Sequence, residues 1–201
     1  MRTLRRTLPA TLGAAALAIA LSGCNNSSSA PSGPDSRPAG SGSGAPDDKR
    51  TLRLGEASPP QNSTKKASAD ARFTITPTRV RTGTQAEMKR SGLKEDKGSG
   101  PQVPVFVWST LTHKSGTPME LSDVPDLVVR TDQDHRTRPL IVVMGQAQWS
   151  DCPDTDGSKK LHAGQSQKIC TAYLIPEGQK AAAVELSRGF YQAPLEWPVT
   201  S

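Results

Sequence analysis

The sequence predicts an all-β protein: an antiparallel β-sandwich of seven or eight strands that follows a disordered tether. From about residue 70 onward, apolar and polar residues alternate with a period of two, which is typical of half-buried strands. The alternating segments are short and separated by turns, as in sandwiches. Residues 25–50, by contrast, contain no large apolar side chain and are rich in Ser, Gly and Pro. Such a segment cannot bury enough surface to fold.

The N-terminus has the profile of a secretory signal peptide. Three arginines lie within residues 1–6 and precede a short apolar stretch at 7–21, the order of regions that export signals use. A transmembrane helix needs about 20 predominantly apolar residues, and this stretch is shorter and contains Pro9. The sequence therefore favours a signal over a permanent membrane span. The consecutive arginines leave both the general and the twin-arginine export routes open.

Cys24 directly follows Leu21, Ser22 and Gly23. This order resembles the bacterial lipobox, and the resemblance implies that residues 1–23 are removed and that Cys24 is diacylated as the mature N-terminus. The expected partner is then the membrane, reached through the diacylglyceryl anchor, and the expected location is its outer face. An ordinary signal peptide with a chance cysteine is the alternative.

The charge balance argues against nucleic acid as a partner. The chain carries a formal net charge of +6, of which three charges belong to arginines of the signal, so residues 24–201 carry +3. No block of five or more basic residues occurs, whereas nucleic-acid-binding chains concentrate Lys and Arg. The sequence leaves the oligomeric state open.

The expected organisation is a lipid-anchored flexible tether at 24–50 followed by one domain at 51–201. A tether of this length spans roughly 30 Å root-mean-square. The compact core of the domain is expected at about 70–200, with a possible edge strand at 51–55. About 130 residues suffice for one independent core.

The first strands of the domain are expected at 71–80 and 102–111. Phe73 and Ile75 alternate with threonines in the first strand, where Pro77 indicates an edge position or a bulge. The second strand has apolar residues on both faces, which is typical of a central strand covered on both sides.

The alternation predicts further strands at 126–130, 139–144, 168–175, 181–187 and 195–199. We interpret the charged, Gly-flanked segment 83–101 as an exposed insertion with at most one helical turn. Polar residues at 113–116 and 131–138 predict turns.

Cys152 and Cys170 remain once Cys24 is assigned to the lipobox. A pair of cysteines in an exported chain predicts a disulfide. This bond joins a Pro/Asp/Gly-rich loop to the strand at 168–175 across 17 intervening residues. On the chain-entropy model, closing a loop of this size contributes roughly 3 kcal/mol. Two free or metal-binding thiols are the alternative.

The order of these features resembles one known family. A lipobox and polar tether precede an F-T-I-T strand, a V-P-V-F-V-W strand, the segment L-H-A-G-Q with K-I-C-T-A-Y-L-I-P-E-G at 161–178, and a final W-P-V strand. Together these resemble small bacterial lipoproteins with an immunoglobulin-like domain of unknown function, similar to the domain of a secreted mycobacterial immunoprotective antigen. The resemblance covers about residues 52–200. It implies an immunoglobulin-like β-sandwich at the cell surface and brings no catalytic residue.

The disulfide loop at 146–160 is the best candidate for a binding surface, because rigid strands can hold a variable loop in place. It contains Trp149, Asp151, Asp154 and Asp156. The aspartates lack the ligand spacing and terminal Glu of an EF-hand, and turn formation also explains Asp and Gly there, so we expect no metal. For Trp149, core packing and exposure as a contact residue are both open.

No complete catalytic motif occurs in the chain. Ser-x-x-Lys is found at 63–66 and 91–94, and Lys-Ser-Gly at 114–116, which echo elements of penicillin-binding enzymes. The serines fall in polar segments rather than on a rigid helix, and no Ser-x-Asn element lies between them and Lys114. The sequence therefore predicts a non-enzymatic binding module for a membrane protein or cell-wall component, without a cofactor. A wall-active hydrolase or transferase is the alternative.

Overall fold

The computed structural model describes residues 49–93, 98, 100–123, 127–141, 147–189 and 192–200. In this part of the chain two four-stranded antiparallel sheets share one core, which confirms the all-β sandwich that the alternation predicts. The predicted signal peptide, Cys24 and the tether up to residue 48 lie outside the described residues.

The described strands are β1 (Gln61–Asn62), β2 (Arg72–Thr82), β3 (Gln102–Ser115), β4 (Met119–Glu120), β5 (Leu127–Thr131), β6 (Arg136–Thr137), β7 (Lys160–Leu161), β8 (Ser166–Pro176), β9 (Ala181–Leu186) and β10 (Leu195–Pro198). The first sheet has the order β1-β2-β3-β8 and the second the order β10-β9-β5-β6, while β4 and β7 pair separately. The helix α1 (Gln85–Arg90) and the 3-10 turns Lys66–Ser68 and Leu121–Asp123 complete the described elements. None of the helices in these residues is long and apolar enough to cross a membrane.

The main core lies between the two sheets. Val105 of β3 and Tyr173 of β8 cluster there with Val184 of β9 and Trp197 of β10. Burial of an aliphatic or aromatic side chain of this size stabilises the fold by about 1.5–3 kcal/mol. The indole N–H of Trp197 is also satisfied, because it donates to the backbone carbonyl of Glu56 at 2.9 Å.

The strand β3 is central, as the sequence predicts. It pairs with β2 on one side and with β8 on the other. Because its side chains alternate, Val105 and Val107 join the intersheet core, whereas Phe106 and Trp108 lie on the outer face of the first sheet. Phe106 is nevertheless completely buried, so a second layer covers this part of the outer face.

The prediction of a turn at 113–116 is wrong for residues 113–115, which belong to a strand. The strand β3 continues to Ser115, and His113 pairs in register with Phe73 of β2. The His113 N–H donates to the Gln165 carbonyl at 3.0 Å, which extends the pairing beyond the predicted strand. The chain turns at Gly116, which has a φ of 91° and packs so closely on Asp70 that a Cβ would clash with backbone.

Pro77 lies at an irregularity of β2, where the register with β3 shifts between Pro77 and Arg79. This agrees with the expected bulge. The segment expected as an edge strand at 51–55 forms an isolated parallel bridge between Thr51 and Glu196, and the Gly55 N–H donates to the Pro77 carbonyl of β2 at 2.7 Å. Leu52 still belongs to the main core, so the packed structure extends to the N-terminal side of residue 70.

The strand expected at 139–144 falls partly outside the described residues, at 142–144. The described part, residues 139–141, is not a strand. The Leu140 N–H donates to the Ala172 carbonyl of β8 at 2.8 Å, a single bond beside the edge of the first sheet. Ile141 is largely exposed.

Candidate binding cleft at the disulfide loop

A disulfide joins Cys152 to Cys170, with Cα atoms 5.2 Å apart, as the two cysteines predict. Cys170 lies on β8 directly opposite Trp108 of β3, and therefore on the outer face of the first sheet. The bond fixes the part of the disulfide loop around Cys152, residues 147–154, over this face.

Trp149 provides the main aromatic contact of the loop. Its ring meets the Phe106 ring edge-on, with centroids 5.7 Å apart and an interplanar angle of 70°. This is a favourable geometry for an aromatic pair. Beside it, the Gln148 N–H donates to the Ser91 carbonyl at 3.0 Å. The loop is thus bound to the sheet by a covalent bond, an aromatic contact and a backbone hydrogen bond.

The helix α1 forms the opposite wall. Thr84 and Glu87 make a capping box, in which the Thr84 hydroxyl accepts from the Glu87 N–H and the Glu87 carboxylate accepts from the Thr84 N–H. Met88 is buried and α1 has six residues, which corrects the expectation of at most one helical turn in an exposed insertion at 83–101, although most other described residues of the segment are exposed. The reason is tertiary: an isolated helix of six residues is unstable in water, whereas here one apolar side chain packs against the sheet.

Arg81 of β2 connects the two walls. Its guanidinium donates to both carboxylate oxygens of Glu87, at 2.8 and 3.1 Å, and lies 3.5 Å from the Asp151 carboxylate in the disulfide loop. It also lies over the Phe106 ring, 4.8 Å from the centroid. Partial burial acts to raise the pKa of Glu87, but hydrogen bonds from Arg81 and Thr84 outweigh it and lower that pKa below its usual value.

Between these walls lies an open cleft of about 770 Å³. Arg81, Glu87 and Arg90 line one side, and the loop residues Trp149 and Asp151 line the other. An aromatic surface next to both cationic and anionic groups suits a ligand that combines a charged group with an apolar body. The cleft is of the size that small ligands occupy.

The structure brings together three of the four residues that the sequence singled out. Trp149, Asp151 and Asp154 line the cleft, but Asp156 does not. The Asp156 carboxylate instead accepts from the Ser158 N–H and hydroxyl, at 3.0 and 2.7 Å, which lowers the pKa of Asp156. It therefore closes a turn, as Asp often does.

Sequence reasoning missed Arg81 and Glu87, which carry the charge of the opposite wall. A local signal for Glu87 was present, since Thr84-x-x-Glu87 is the pattern of a capping box at a helix start. Nothing local identified Arg81 as its partner. The contact depends on β2 and α1 folding back on each other.

The geometry also bears on a metal site and on the serines of the Ser-x-x-Lys motifs. Within the described ranges, no group of three or more His, Cys, Asp or Glu side chains is arranged to hold a metal. Ser63 shares a hydrogen bond with Ser68 at 2.9 Å, and Ser68 donates to Asp123 at 3.1 Å, so this hydroxyl pair connects segments of the fold. The Ser91 hydroxyl donates to the Met88 carbonyl at 2.7 Å and closes α1.

Comparison with known proteins returns two similar folds. MPT63, a secreted protein from Mycobacterium tuberculosis, has a TM-score of 0.46 and 15% identity over 74% of this chain and 96% of its own. An uncharacterised β-sandwich protein from Clostridium difficile 630 has a TM-score of 0.42 and 11% identity over 76% of this chain and 95% of its own. No family model matches the chain, and no curated protein is recognisably similar to it.

Proposed function

We propose that this chain is a non-enzymatic binding module, held at the outer face of a bacterial membrane by a diacylglyceryl group on Cys24, and that the cleft under loop 147–154 receives its ligand. The observation that carries the binding site is the position of Arg81. This cation is oriented from one side by Glu87 and faces the exposed carboxylate of Asp151 on the other.

The two ion pairs of Arg81 differ in strength. The Glu87 side chain is 20% exposed and makes two short hydrogen bonds, whereas the Asp151 side chain is 69% exposed and lies 3.5 Å away. Exposed pairs of the second kind contribute little to stability. A ligand carboxylate or phosphate therefore replaces Asp151 at small cost, while Glu87 keeps the guanidinium in place and Trp149 contacts the apolar part of the ligand.

Lipidation is tested separately from binding. Cells that express the chain are grown with an alkyne-bearing fatty acid, and the incorporated label is read on the purified protein. We expect labelling of the wild type and none of Cys24→Ala, with the variant released from the membrane fraction. Equal labelling or equal membrane retention of both proteins would exclude the anchor. It would not bear on the proposed ligand site in the cleft.

The cleft is tested by chemical cross-linking on intact cells, followed by affinity capture and mass spectrometry. We expect Arg81→Gln to lose the captured component and Asp151→Asn to keep it or capture more, because the second change removes the internal competitor. Arg53→Gln, an exposed arginine outside the cleft, is the matched control. Thermal unfolding of each variant checks the fold, and capture by Arg81→Gln at the wild-type level contradicts the proposed site.

A further inference from the structure

The described residues cover only about half of the outer face of the first sheet. The disulfide loop and α1 lie over the half around Phe106, at the end where β3 begins. Beyond Trp108 the face continues without a covering element among the described residues, and we call this part the open face. Its side chains project from β2, β3 and β8 in register: Thr74, Thr76, Arg79, Trp108, Thr110, Thr112, Lys114, Ser166 and Lys168. Thr74, opposite Thr112, is buried.

Hydroxyl groups occupy the middle of the open face. Thr76 and Thr110 are directly opposite each other, and Thr112 is opposite Ser166. The hydroxyls of Thr112 and Ser166 are 2.8 Å apart and hydrogen-bond to each other. Three adjacent strands thus present a polar surface that is rich in hydroxyls.

Three cations flank these hydroxyls, and none has a counter-ion in the part of the chain that the structure describes. Arg79, Lys114 and Lys168 are exposed. No described carboxylate lies within ion-pair distance, 4.0 Å, of any of them. Arg79 is held in place by Trp108, since its guanidinium lies 3.5 Å from the centre of the indole ring.

The second sheet shows the opposite arrangement on the outside of the sandwich. There Arg130 pairs with Glu185 and Glu196, and Arg136 pairs with Glu185 and Asp134. Its cations are therefore neutralised within the protein. On the first sheet Arg81 is likewise paired within the protein, with Glu87 and Asp151, whereas Arg79, Lys114 and Lys168 are available to a partner.

The spacing of the cations suits an extended anion. Arg79 is opposite Trp108, Lys168 is opposite Thr110, and Lys114 lies six residues beyond Trp108 along β3. At about 3.3 Å per residue this covers about 20 Å. Along the strand direction, the step from Arg79 to Lys168 is two residues, about 7 Å, and the step from Lys168 to Lys114 is four residues, about 13 Å. The second step exceeds the Debye length of about 8 Å at physiological salt, so each cation acts mainly on the anionic group nearest to it.

We propose that the open face binds a linear anionic polysaccharide. Its carboxylate or phosphate groups pair with Arg79, Lys168 and Lys114, and the hydroxyls of Thr76 and Thr110 exchange hydrogen bonds with its sugar hydroxyls. This site does not overlap the cleft, because none of these five residues lines it. The inference is independent of the proposed ligand of Arg81.

The test uses the full chain in mild detergent and polygalacturonate as the probe, with dissociation constants measured by calorimetry at several salt concentrations. We expect binding that weakens with salt. The triple variant Arg79→Gln, Lys114→Gln and Lys168→Gln should bind about tenfold more weakly, because three exposed ion pairs are lost. The matched control changes three exposed lysines elsewhere, Lys65→Gln, Lys89→Gln and Lys180→Gln, and should bind like the wild type.

Further probes separate a polysaccharide from other anions. Poly-L-glutamate has carboxylates but no sugar, double-stranded DNA has phosphates, and vesicles with one third phosphatidylglycerol present an anionic membrane. We expect each to bind more weakly than polygalacturonate, and we expect Thr76→Val with Thr110→Val to weaken polygalacturonate alone. Equal affinity for any of these anions, an equal loss in the lysine control, or no binding of polygalacturonate overturns the proposal. Far-ultraviolet circular dichroism confirms that the variants are folded.

Discussion

Trp149 meets Phe106 edge-on, with ring centroids 5.7 Å apart, although the two residues belong to a loop and to the outer face of a strand. This contact explains why Phe106 is completely buried while pointing away from the intersheet core. Of the two interpretations of Trp149, packing and exposed contact, the structure favours packing with one edge in the cleft. The disulfide loop is therefore part of the folded structure.

The first prediction concerns this aromatic pair. Trp149→Ala should lower the free energy of unfolding by about 2–3 kcal/mol, somewhat less than for a fully buried aromatic, because Trp149 is partly exposed. Trp149→Phe keeps an edge contact with Phe106 and should cost about 1 kcal/mol. Urea unfolding measures both values, and a Trp149→Ala protein as stable as the wild type would show that the loop packs elsewhere in solution.

The second prediction concerns the disulfide. Replacing Cys152 and Cys170 together with Ala should lower the free energy of unfolding by about 3 kcal/mol, the value for a loop of this size. The effect should be smaller in Trp149→Ala, because both changes release the same loop and neighbouring sites are not additive. Urea unfolding of the four proteins provides a double-mutant cycle. If the two losses in the free energy of unfolding are strictly additive, the disulfide and Trp149 do not stabilise the same loop.

Alternation alone predicts most of the first sheet. β2, β3 and β8 have long alternating segments, and β3 is apolar on both faces, so its central place follows from the sequence. The prediction of a turn at His113 was wrong because Lys114, Ser115 and Gly116 have the composition of a turn. Local composition cannot reveal that a hydrogen bond to the Gln165 carbonyl prolongs the strand.

The candidate cleft was predictable only on the side of the loop. Trp149 and Asp151 stand beside a cysteine, and the disulfide marks their segment as ordered. The facing wall depends on long-range contacts: Arg81 reaches Asp151 only because Cys170 is in register with Trp108 on the same face. No local pattern encodes that register.

The third prediction concerns pH and Glu87. The pKa of Glu87 is lower in the folded protein than its usual value of 4.5, so its contribution to stability is complete above that value and is lost as the pH falls through the folded pKa. We expect the melting temperature of the wild type to fall as the pH drops below the usual carboxyl value of 4.5, and less steeply in Glu87→Gln. Glu177→Gln, at an exposed turn position, is the control and should follow the wild type. A Glu87→Gln profile parallel to that of the wild type would contradict the role of Arg81.

The fourth prediction concerns the buried carboxylate of Glu185. It accepts hydrogen bonds from Arg130 at 2.8 Å and from Arg136 at 3.0 Å, and its side chain is 6% exposed. Glu185→Ala should lower the free energy of unfolding by about 2–4 kcal/mol, because two arginines lose a buried partner while Arg130 keeps its ion pair with Glu196. Arg136→Ala should cost at most about 1 kcal/mol, since that side chain is half exposed. Urea unfolding compares them, and equal losses would show that burial does not set the strength of the network.

The fifth prediction concerns His113. The side chain is completely buried, and neither ring nitrogen has a hydrogen-bond partner among the described residues. A buried polar group without a partner destabilises a fold by about 1–3 kcal/mol. His113→Leu, an apolar side chain of similar size, should therefore leave stability unchanged or raise it by about 1 kcal/mol. Phe73→Ala, opposite His113 on β2, is the reference for a large loss of about 3–5 kcal/mol. If His113→Leu is instead destabilised by more than about 1 kcal/mol, the imidazole makes a polar interaction that the fold needs.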